Sequence, residues 1–473
     1  MPVSPNYRPD PIFADLGPEF ADPVEPAVFP ATILRHRHDR AAATVGLETL
    51  TDDEWIAHFG RFEPLPGNLK QPLAMRYHGH QFRVYNPDIG DGRGFLFAQL
   101  REVGTDRLLD LGTKGSGQTP YSRFGDGRLT LKGGVREVLA AAMLEALGVP
   151  TSRAFSLLET GEELQRNDEA SPTRSSVLTR LSHSHVRFGT FQRHAYFNKT
   201  EELGALIEHV IGAYYPGLDN AENKPVALLR AVQTRSADLV GAWIAAGFVH
   251  GVLNTDNMNI TGESFDYGPY RFIPHNDPTF VAAYFDEMGL YSFGRQADAV
   301  FWNLRQLAGT LALLTQQEPL VEALNTFSAA YRTSLTAAML RRLGLKPRGA
   351  DEDVDLVNAA FRALAEGGGA LRWEPFFFDW FGGLASEARA LAGPRAALYG
   401  GELAMEFRGR LKPYQMDRPQ RLAAPYFAGA EPEELLIQEI EAIWAAIAER
   451  DDWAPFQAKL ARIETTRVAW GLG

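Results

Sequence analysis

The residue pattern changes character near position 187, and the change limits the folds open to the chain. Ahead of that point short apolar runs alternate with glycine turns; beyond it apolar residues recur at three- and four-residue spacing over long stretches. A uniform helical bundle and an all-β sandwich are both excluded by such a split. An α+β architecture is predicted instead, a mostly β lobe followed by a mostly α lobe, with ligands expected in the cleft between them. Strands are predicted over 95–100, 108–111, 154–159 and 176–181. A helix is predicted over 135–147, with Val135, Leu139, Ala142 and Ala146 on one face and Gly148 and Pro150 as its stop. Further helices are predicted at about 201–215, 222–247, 295–315, 320–343, 353–366, 378–392 and 431–449. Residues 1–30, rich in proline and acid, read as an extended arm. The division expected is an N-terminal arm and extension over 1–74, an N-lobe over 75–190 and a helical C-lobe over 191–473.

The 473 residues include 47 lysines and arginines against 59 aspartates and glutamates, a formal charge of −12. No general basic field for nucleic acid exists, and no nucleic-acid partner is expected. The chain has no cysteine, which removes disulfides, thiolate metal sites, iron–sulfur clusters and thiol nucleophiles together. Its first residues mix proline with acid where a secretion signal would need a basic start and an apolar run. The longest uncharged apolar stretch, 239–254, is shorter than a bilayer span and contains His250. A soluble cytoplasmic protein with no membrane contact is expected; its oligomeric state is not written in the sequence.

The order of a few polar residues carries the functional reading. In a protein kinase a glycine loop covers the nucleotide phosphates, a strand lysine reaches them, and a glutamate on the following helix holds that lysine. Here Gly90, Gly92 and Gly94 precede Lys114, and Glu137 lies on the predicted helix after it. Downstream, His250-Gly-Val-Leu-Asn-Thr-Asp-Asn257 has the length and end residues of the kinase catalytic loop, with Asn257 at the metal-ligand position. A short strand over 258–260 is predicted next, and Asp266-Tyr-Gly268 then stands where the metal-binding aspartate motif would be. A protein-kinase-like bilobal fold follows. Asn and Asp offer hard oxygens suited to a magnesium ion that bridges phosphates.

The departure from the kinase pattern is equally informative. Val252 occupies the place of the catalytic aspartate and can accept no proton. Asp256 is the nearest carboxylate able to act as general base; a second metal ligand or a loop cap is its other reading. Arg93, Arg128, Arg180 and Arg187 gather near the glycine segments. Guanidinium pairs with phosphate in a two-pronged fork, and these arginines exceed what one γ-phosphate transfer requires. A nucleotide bound in reverse, with its β- and γ-phosphates against Lys114 and the arginines, would leave the α-phosphorus open to attack with pyrophosphate as leaving group. Surface arginines paired with acids are the bland alternative. Two rival functions stand beside nucleotidyl transfer: a phosphotransferase of aminoglycoside-kinase type with Asp256 as base, and an inactive nucleotide-binding pseudokinase scaffold. Substitution of Lys114, Asp256 or Asp266 is expected to abolish transfer and spare the fold, none belonging to an apolar core.

At these residues the chain resembles the selenoprotein O family, called YdiU in bacteria, pseudokinases that transfer AMP to protein hydroxyls. The likeness is carried by Tyr77-His-Gly-His-Gln-Phe82, Pro87-Asp-Ile-Gly-Asp-Gly-Arg93, Lys114-Gly-Ser-Gly-Gln-Thr-Pro-Tyr-Ser-Arg123, Phe124-Gly-Asp-Gly-Arg128, Arg136-Glu137, Arg180 through Arg187-Phe-Gly189, Asn254-Thr-Asp-Asn-Met258 and Asp266-Tyr-Gly-Pro269. It implies that Gly90, Gly92, Arg93, Lys114, Asp126, Gly127, Arg180 and Arg187 contact ATP, with Glu137 paired to Lys114 and Asp266 completing the nucleotide site. It further implies that Asp256 is the proton acceptor and that Asn257 and Asp266 hold magnesium, or manganese. The acceptors implied are Ser, Thr and Tyr hydroxyls of proteins, with UTP and manganese as a further donor pair in bacteria. Arg83 stands where the family usually has glycine, Phe97-Ala-Gln99 replaces a more usual Leu-Gly-Glu, and the cysteine or selenocysteine that many relatives carry near the C-terminus is absent, so thiol control cannot operate.

Other features read as structural. His78 with His80, and His183 with His185, have a spacing open to a metal but lack a third ligand, and polar-loop or core histidines are the stronger reading. Ser116, Tyr121 and Ser122 read as turn caps or phosphate contacts ahead of self-modification sites. The aromatic run 373–381 reads as helix packing ahead of a docking patch.

Overall fold

The computed structural model describes residues 3–167 and 169–473. It is a mixed α/β protein built on one antiparallel sheet with many helices. The sheet strands are β1 Ala21–Pro23, β2 Ile33–Arg37, β3 Leu73–Met75, β6 Leu96–Arg101, β7 Leu108–Lys114, β9 Arg153–Leu164 and β10 Thr173–Ser182, in the spatial order β1-β3-β6-β7-β10-β9-β2. A two-residue strand, β8 Leu129–Thr130, also pairs with β10. A small separate hairpin joins β4 Gly79–Gln81 to β5 Val84–Asn86. The segment ahead of residue 75 supplies both sheet edges, β1 and β2. Pro23, which lacks an N–H for a ladder, sits where an edge tolerates it.

Both faces of the sheet are covered, which explains why β6 and β7 read as continuous apolar runs with no alternation. Leu96, Leu108, Leu157 and Leu178 belong to the larger core that includes α3 Leu131–Ala146. Phe97, Leu111, Phe155 and Val177 pack in a second core with Trp55 and Phe59 of α2 Asp52–Gly60, which follows the short α1 Asp39–Ala43. Thr51 caps α2 with a reciprocal Thr51–Glu54 box.

The predicted strands and the 135–147 helix are all present; the first strand is shifted by one residue, the helix starts four residues earlier and ends one earlier, and the other strands are longer than predicted. The 258–260 segment is not a strand: only an isolated bridge joins Asn259 to Arg187. Beyond the sheet come α4 Phe188–Tyr196, α5 Thr200–Tyr214 and α6 Lys224–Ala245. A two-stranded ribbon follows, β11 Phe248–Val249 with β12 Arg271–Phe272. The remaining helices are α7 Gln296–Leu311, α8 Gln317–Leu324, α9 Phe327–Arg342, α10 Ala350–Gly367, α11 Trp373–Trp380, α12 Glu387–Ala392, α13 Glu402–Leu411, α14 Ile437–Arg450 and α15 Ala454–Trp470. The single helix predicted over 320–343 is therefore two. The one predicted over 378–392 is broken at Gly382 and Gly383, whose φ angles of +91° and +62° lie in the left-handed region that stops a right-handed helix. Among the described residues no helix is long and apolar enough to cross a membrane.

Candidate active site: a buried charge cluster beside two cavities

Lys114 ends β7, where Gly115 turns the chain at φ +88°. Its Nζ lies 2.6 Å from Glu137 Oε2, on the first half of α3, and 2.5 Å from Asp266 Oδ1. Arg180 reaches the same two carboxylates: its Nη1 is 3.2 Å from Glu137 Oε1 and 3.4 Å from Asp266 Oδ1. A register irregularity between Thr179 and Arg180 in the β9–β10 pairing marks the place where this side chain leaves the sheet. Two cations thus face two anions, and all but Asp266 are nearly inaccessible, with Lys114 only 5 % exposed. Burial pushes the Asp266 carboxyl up, but Lys114, Arg180, Arg93 and Arg187 outweigh it and hold the group well below the usual carboxylate range. Asp266 itself sits at φ +64°, a left-handed conformation that Asp tolerates better than most residues. The lysine has no apolar role, yet it neutralises the buried Glu137 and the partly exposed Asp266, so its replacement bears on stability as well as on transfer.

Asp256 lies in the loop after β11, within a one-turn 3₁₀ segment. Arg187 links it to the glycine region, its Nη1 donating to the Asp256 carbonyl at 3.0 Å and its Nη2 meeting Asp91 Oδ1 at 3.1 Å. The guanidinium is clasped between Tyr77 and Phe265, 4.4 and 5.0 Å from their ring centres. Asp256 Oδ1 is buried without a hydrogen-bond partner. Burial, only partly countered by Arg187, raises the Asp256 carboxyl from 3.8 to about 6. The β4–β5 hairpin fixes the loop: His80 N–H donates to Thr255 Oγ1 at 2.7 Å, Phe82 N–H donates to Asn254 Oδ1 at 3.0 Å, and Thr255 Oγ1 donates to Gln192 Oε1 at 2.6 Å. Gly79 lets the hairpin lie this close, since a Cβ there would stand 3.1 Å from Asp256 Oδ1. Asn257 uses its amide N–H on the Val252 carbonyl at 3.0 Å, which leaves its side-chain oxygen without a hydrogen bond among the described residues.

Two cavities adjoin these groups and share Arg93, Arg128 and Arg166 in their walls. The larger, of about 690 Å³, is lined by Gly90, Gly92, Arg93, Asp126, Gly127 and Asp256 among others. The second, of about 480 Å³, is lined by Arg93, Lys114, Glu137, Tyr284 and Phe285 among others. Gly92 is demanded by close approach, a Cβ there falling 2.9 Å from the Tyr121 carbonyl oxygen, and Gly127 by its φ of +70°. The cations differ in availability. The Arg93 guanidinium has no hydrogen bond or ion pair among the described residues, whereas Arg128 is held by Glu162 at 2.8 Å and Asp126 by Arg166 at 2.8 Å. Asp256 with one orphan oxygen, Asn257 with a free amide oxygen and the anionic Asp266 offer oxygens of the kind that suits a hard divalent cation.

The structure therefore brings Lys114, Glu137, Arg180 and Asp266 into one cluster, joins Arg187 to Asp256, and sets Gly90, Gly92, Arg93, Asp126 and Gly127 around the same cavity as Asp256. Sequence reasoning missed Gln192 and Tyr291, single polar residues with no motif of their own, and gave no role to Asp91, although it sits between Gly90 and Gly92. His78, His183 and His185 are buried, and His78 is ringed by Tyr85, Tyr196 and Phe197. The aromatic run lies inside the helical core, Trp373, Phe376 and Trp380 each at most 1 % exposed.

Comparison with known proteins adds a family likeness over the whole chain. The family model described as protein adenylyltransferase SelO matches residues 4–464. A protein nucleotidyltransferase YdiU from Synechocystis sp. is 44 % identical over 478 aligned residues, covering 97 % of this chain and 98 % of its own. The proteins of the same name from Gloeobacter violaceus and Synechococcus elongatus are 44 % and 42 % identical, each covering 96 % of this chain and 94 % of its own.

Proposed function

The chain belongs to the SelO family of protein adenylyltransferases and is a protein nucleotidyltransferase; from that premise we propose that it moves AMP from ATP onto Ser, Thr or Tyr hydroxyls of proteins and releases pyrophosphate. The observation that carries the reading is the buried Lys114–Glu137–Arg180–Asp266 cluster, with Arg93 left unpaired beside it and Asp256 across the adjoining cavity. Lys114, Arg93, Arg180 and Arg187 would take the β- and γ-phosphates, with Asp126, Gly127, Gly90 and Gly92 along the rest of the nucleotide. The acceptor oxygen attacks the α-phosphorus, the bond from that phosphorus to the bridging oxygen breaks, and pyrophosphate leaves with the electron pair. Asp256 takes the hydroxyl proton, and its raised pKa makes it a better base than an ordinary surface carboxylate. Asn257 and Asp266 would hold magnesium or manganese, which would supply charge neutralisation on the phosphates.

The same reading takes the sheet-bearing residues 75–190 and the helical residues 191–473 as two lobes of a kinase-like fold, with 1–74 as arm and extension. The crowding of strands ahead of residue 183 supports it. A cytoplasmic setting, where ATP is plentiful, goes with it.

Purified protein incubated with casein and ATP tests the proposal. An AMP adduct on casein by mass spectrometry, with one pyrophosphate released per adduct and none formed by Asp256→Ala, is the result expected. A phosphate adduct would favour the phosphotransferase rival, and ATP left unconsumed would favour the scaffold.

A further inference from the structure

The segment between Phe280 and Phe293 combines a tightly held backbone with exposed apolar side chains. Asp286 accepts from Leu290 N–H and Tyr291 N–H at 2.8 Å each, Phe293 N–H donates to the Phe280 carbonyl at 2.9 Å, and Arg295 Nη1 donates to the Met288 carbonyl at 3.0 Å. Yet Tyr284 is 82 % exposed, Phe285 46 % and Met288 84 %. An ordered loop that keeps three large apolar groups in water gives up the burial energy each could contribute, and such a patch marks a surface for a partner.

Its position indicates which partner. Tyr284 and Phe285 line the same 480 Å³ cavity as Lys114 and Arg93. The Phe285 ring lies 5.8 Å from Phe82, and Phe82 lies 5.0 Å from Tyr291. Phe82 N–H and Tyr291 O–H both donate to Asn254 Oδ1, at 3.0 and 2.8 Å. Asn254 is two residues from Asp256, so the patch and the loop bearing the base form one continuous rim. On the transferase reading a protein acceptor places its hydroxyl at Asp256, which lines the neighbouring 690 Å³ cavity, and the Phe82 contacts to Asn254 and Phe285 lead from that loop to the patch, so a chain running out on this side crosses it. An extended chain advances about 3.3 to 3.6 Å per residue, so the residues next to the acceptor are those that meet the rim.

We propose that Tyr284, Phe285 and Met288 are the acceptor-docking surface, and that they select a protein segment with large apolar side chains flanking the hydroxyl that receives the nucleotide. The inference rests on the transferase reading above. Tyr supplies a rigid contact and Met an adaptable one, a combination suited to holding many related sequences weakly.

The test uses the full-length protein, ATP and two peptides that differ only in having Leu-Phe or Gln-Gln beside a central serine, with casein as a common acceptor. Wild type should favour the Leu-Phe peptide by about tenfold in kcat/KM, the scale on which apolar contacts discriminate. The Tyr284→Ser/Met288→Ser double variant should lose that preference, bringing the ratio close to one. Equal use of both peptides by wild type, or an unchanged ratio in the variant, would overturn the proposal. So would a wild-type dimer in sedimentation that the variant renders monomeric, since the patch would then belong to a second copy. No AMP transfer by wild type to casein or to either peptide would refute the transferase reading itself, and the docking surface with it.

Discussion

Asp256 keeps one buried carboxylate oxygen that no neighbour satisfies, and the energetic cost of that arrangement sets its chemistry. Its carboxyl is raised from 3.8 to about 6 chiefly by burial. Ionising it is therefore harder in the folded protein than in the unfolded chain, and the folded state loses stability as pH rises through that interval. Without nucleotide or divalent metal, Asp256→Asn should raise stability at pH 8 by at most about 3 kcal/mol, the energy of a shift of about two units. The gain should be largely gone at pH 4, where the carboxyl is protonated in the native state; urea titrations at the two pH values measure this. Lys114→Met should act in the opposite direction. It leaves Glu137 and Asp266 to share Arg180, and breaking a buried ion pair on one side costs about 3 to 5 kcal/mol. Adding Glu137→Gln should recover part of that loss in the same titration. At this scale the sequence was most legible where spacing marks residues that meet: Lys114, Glu137 and Asp266 stand out by their order alone, and the structure pairs them. The roles of Asp91, which meets Arg187, and of Gln192, which receives Thr255, were not legible, because their partners are distant in sequence; the glycines beside Asp91 mark the loop but not its ion pair.

At the scale of elements, the β4–β5 hairpin acts as a brace for the Asp256 loop. Thr255 is its joint, accepting from His80 N–H and donating to Gln192. Thr255→Val keeps the shape and removes both bonds, leaving His80 N–H and Gln192 Oε1 unpaired at about 1 to 3 kcal/mol each if water cannot reach them. Transfer to casein should fall while ATP binding by calorimetry stays near the wild-type value, because the bonds lost hold the base and none touches the cation cluster. Equal loss of both would place the brace elsewhere. Elements were legible when one apolar face was long enough to show its period, as in α3, α5, α6 and α10. They were not when too short, as in the three-residue β1 and β3, whose identity comes from the strands they join. The aromatic run read as helix packing is helix α11, but its bounds were not legible, since every residue of Trp373–Trp380 is buried and no polar face offsets the apolar one.

Across the whole molecule, the last two helices return to the sheet and back the helix that carries Glu137. Lys132 on α3 meets Glu441 of α14 at 2.7 Å, and Arg174 on β10 meets Asp451 at 2.7 Å. Helix α15 packs along α3, and at its end Trp470 is buried against Phe381 and Phe427. None of this was read from the sequence, because α15 hides a polar contact inside an apolar one: Lys459 is fully buried with Glu433 and Glu439 as partners, which blurs the helical stripe. The closure couples regions far apart in the chain. Removing residues 454–473 strips α3 of its outer support and exposes Phe381 and Phe427, while every residue around Asp256 and Lys114 remains. If the support matters as the packing indicates, the shortened protein should unfold at a lower temperature and in two steps where the full chain unfolds in one, as followed by calorimetry. Transfer to casein should then fall well below the full chain's even at temperatures where the first step has not begun, since Glu137 can hold Lys114 only from a fixed helix. Retained transfer in the shortened protein would show that the sheet alone fixes α3.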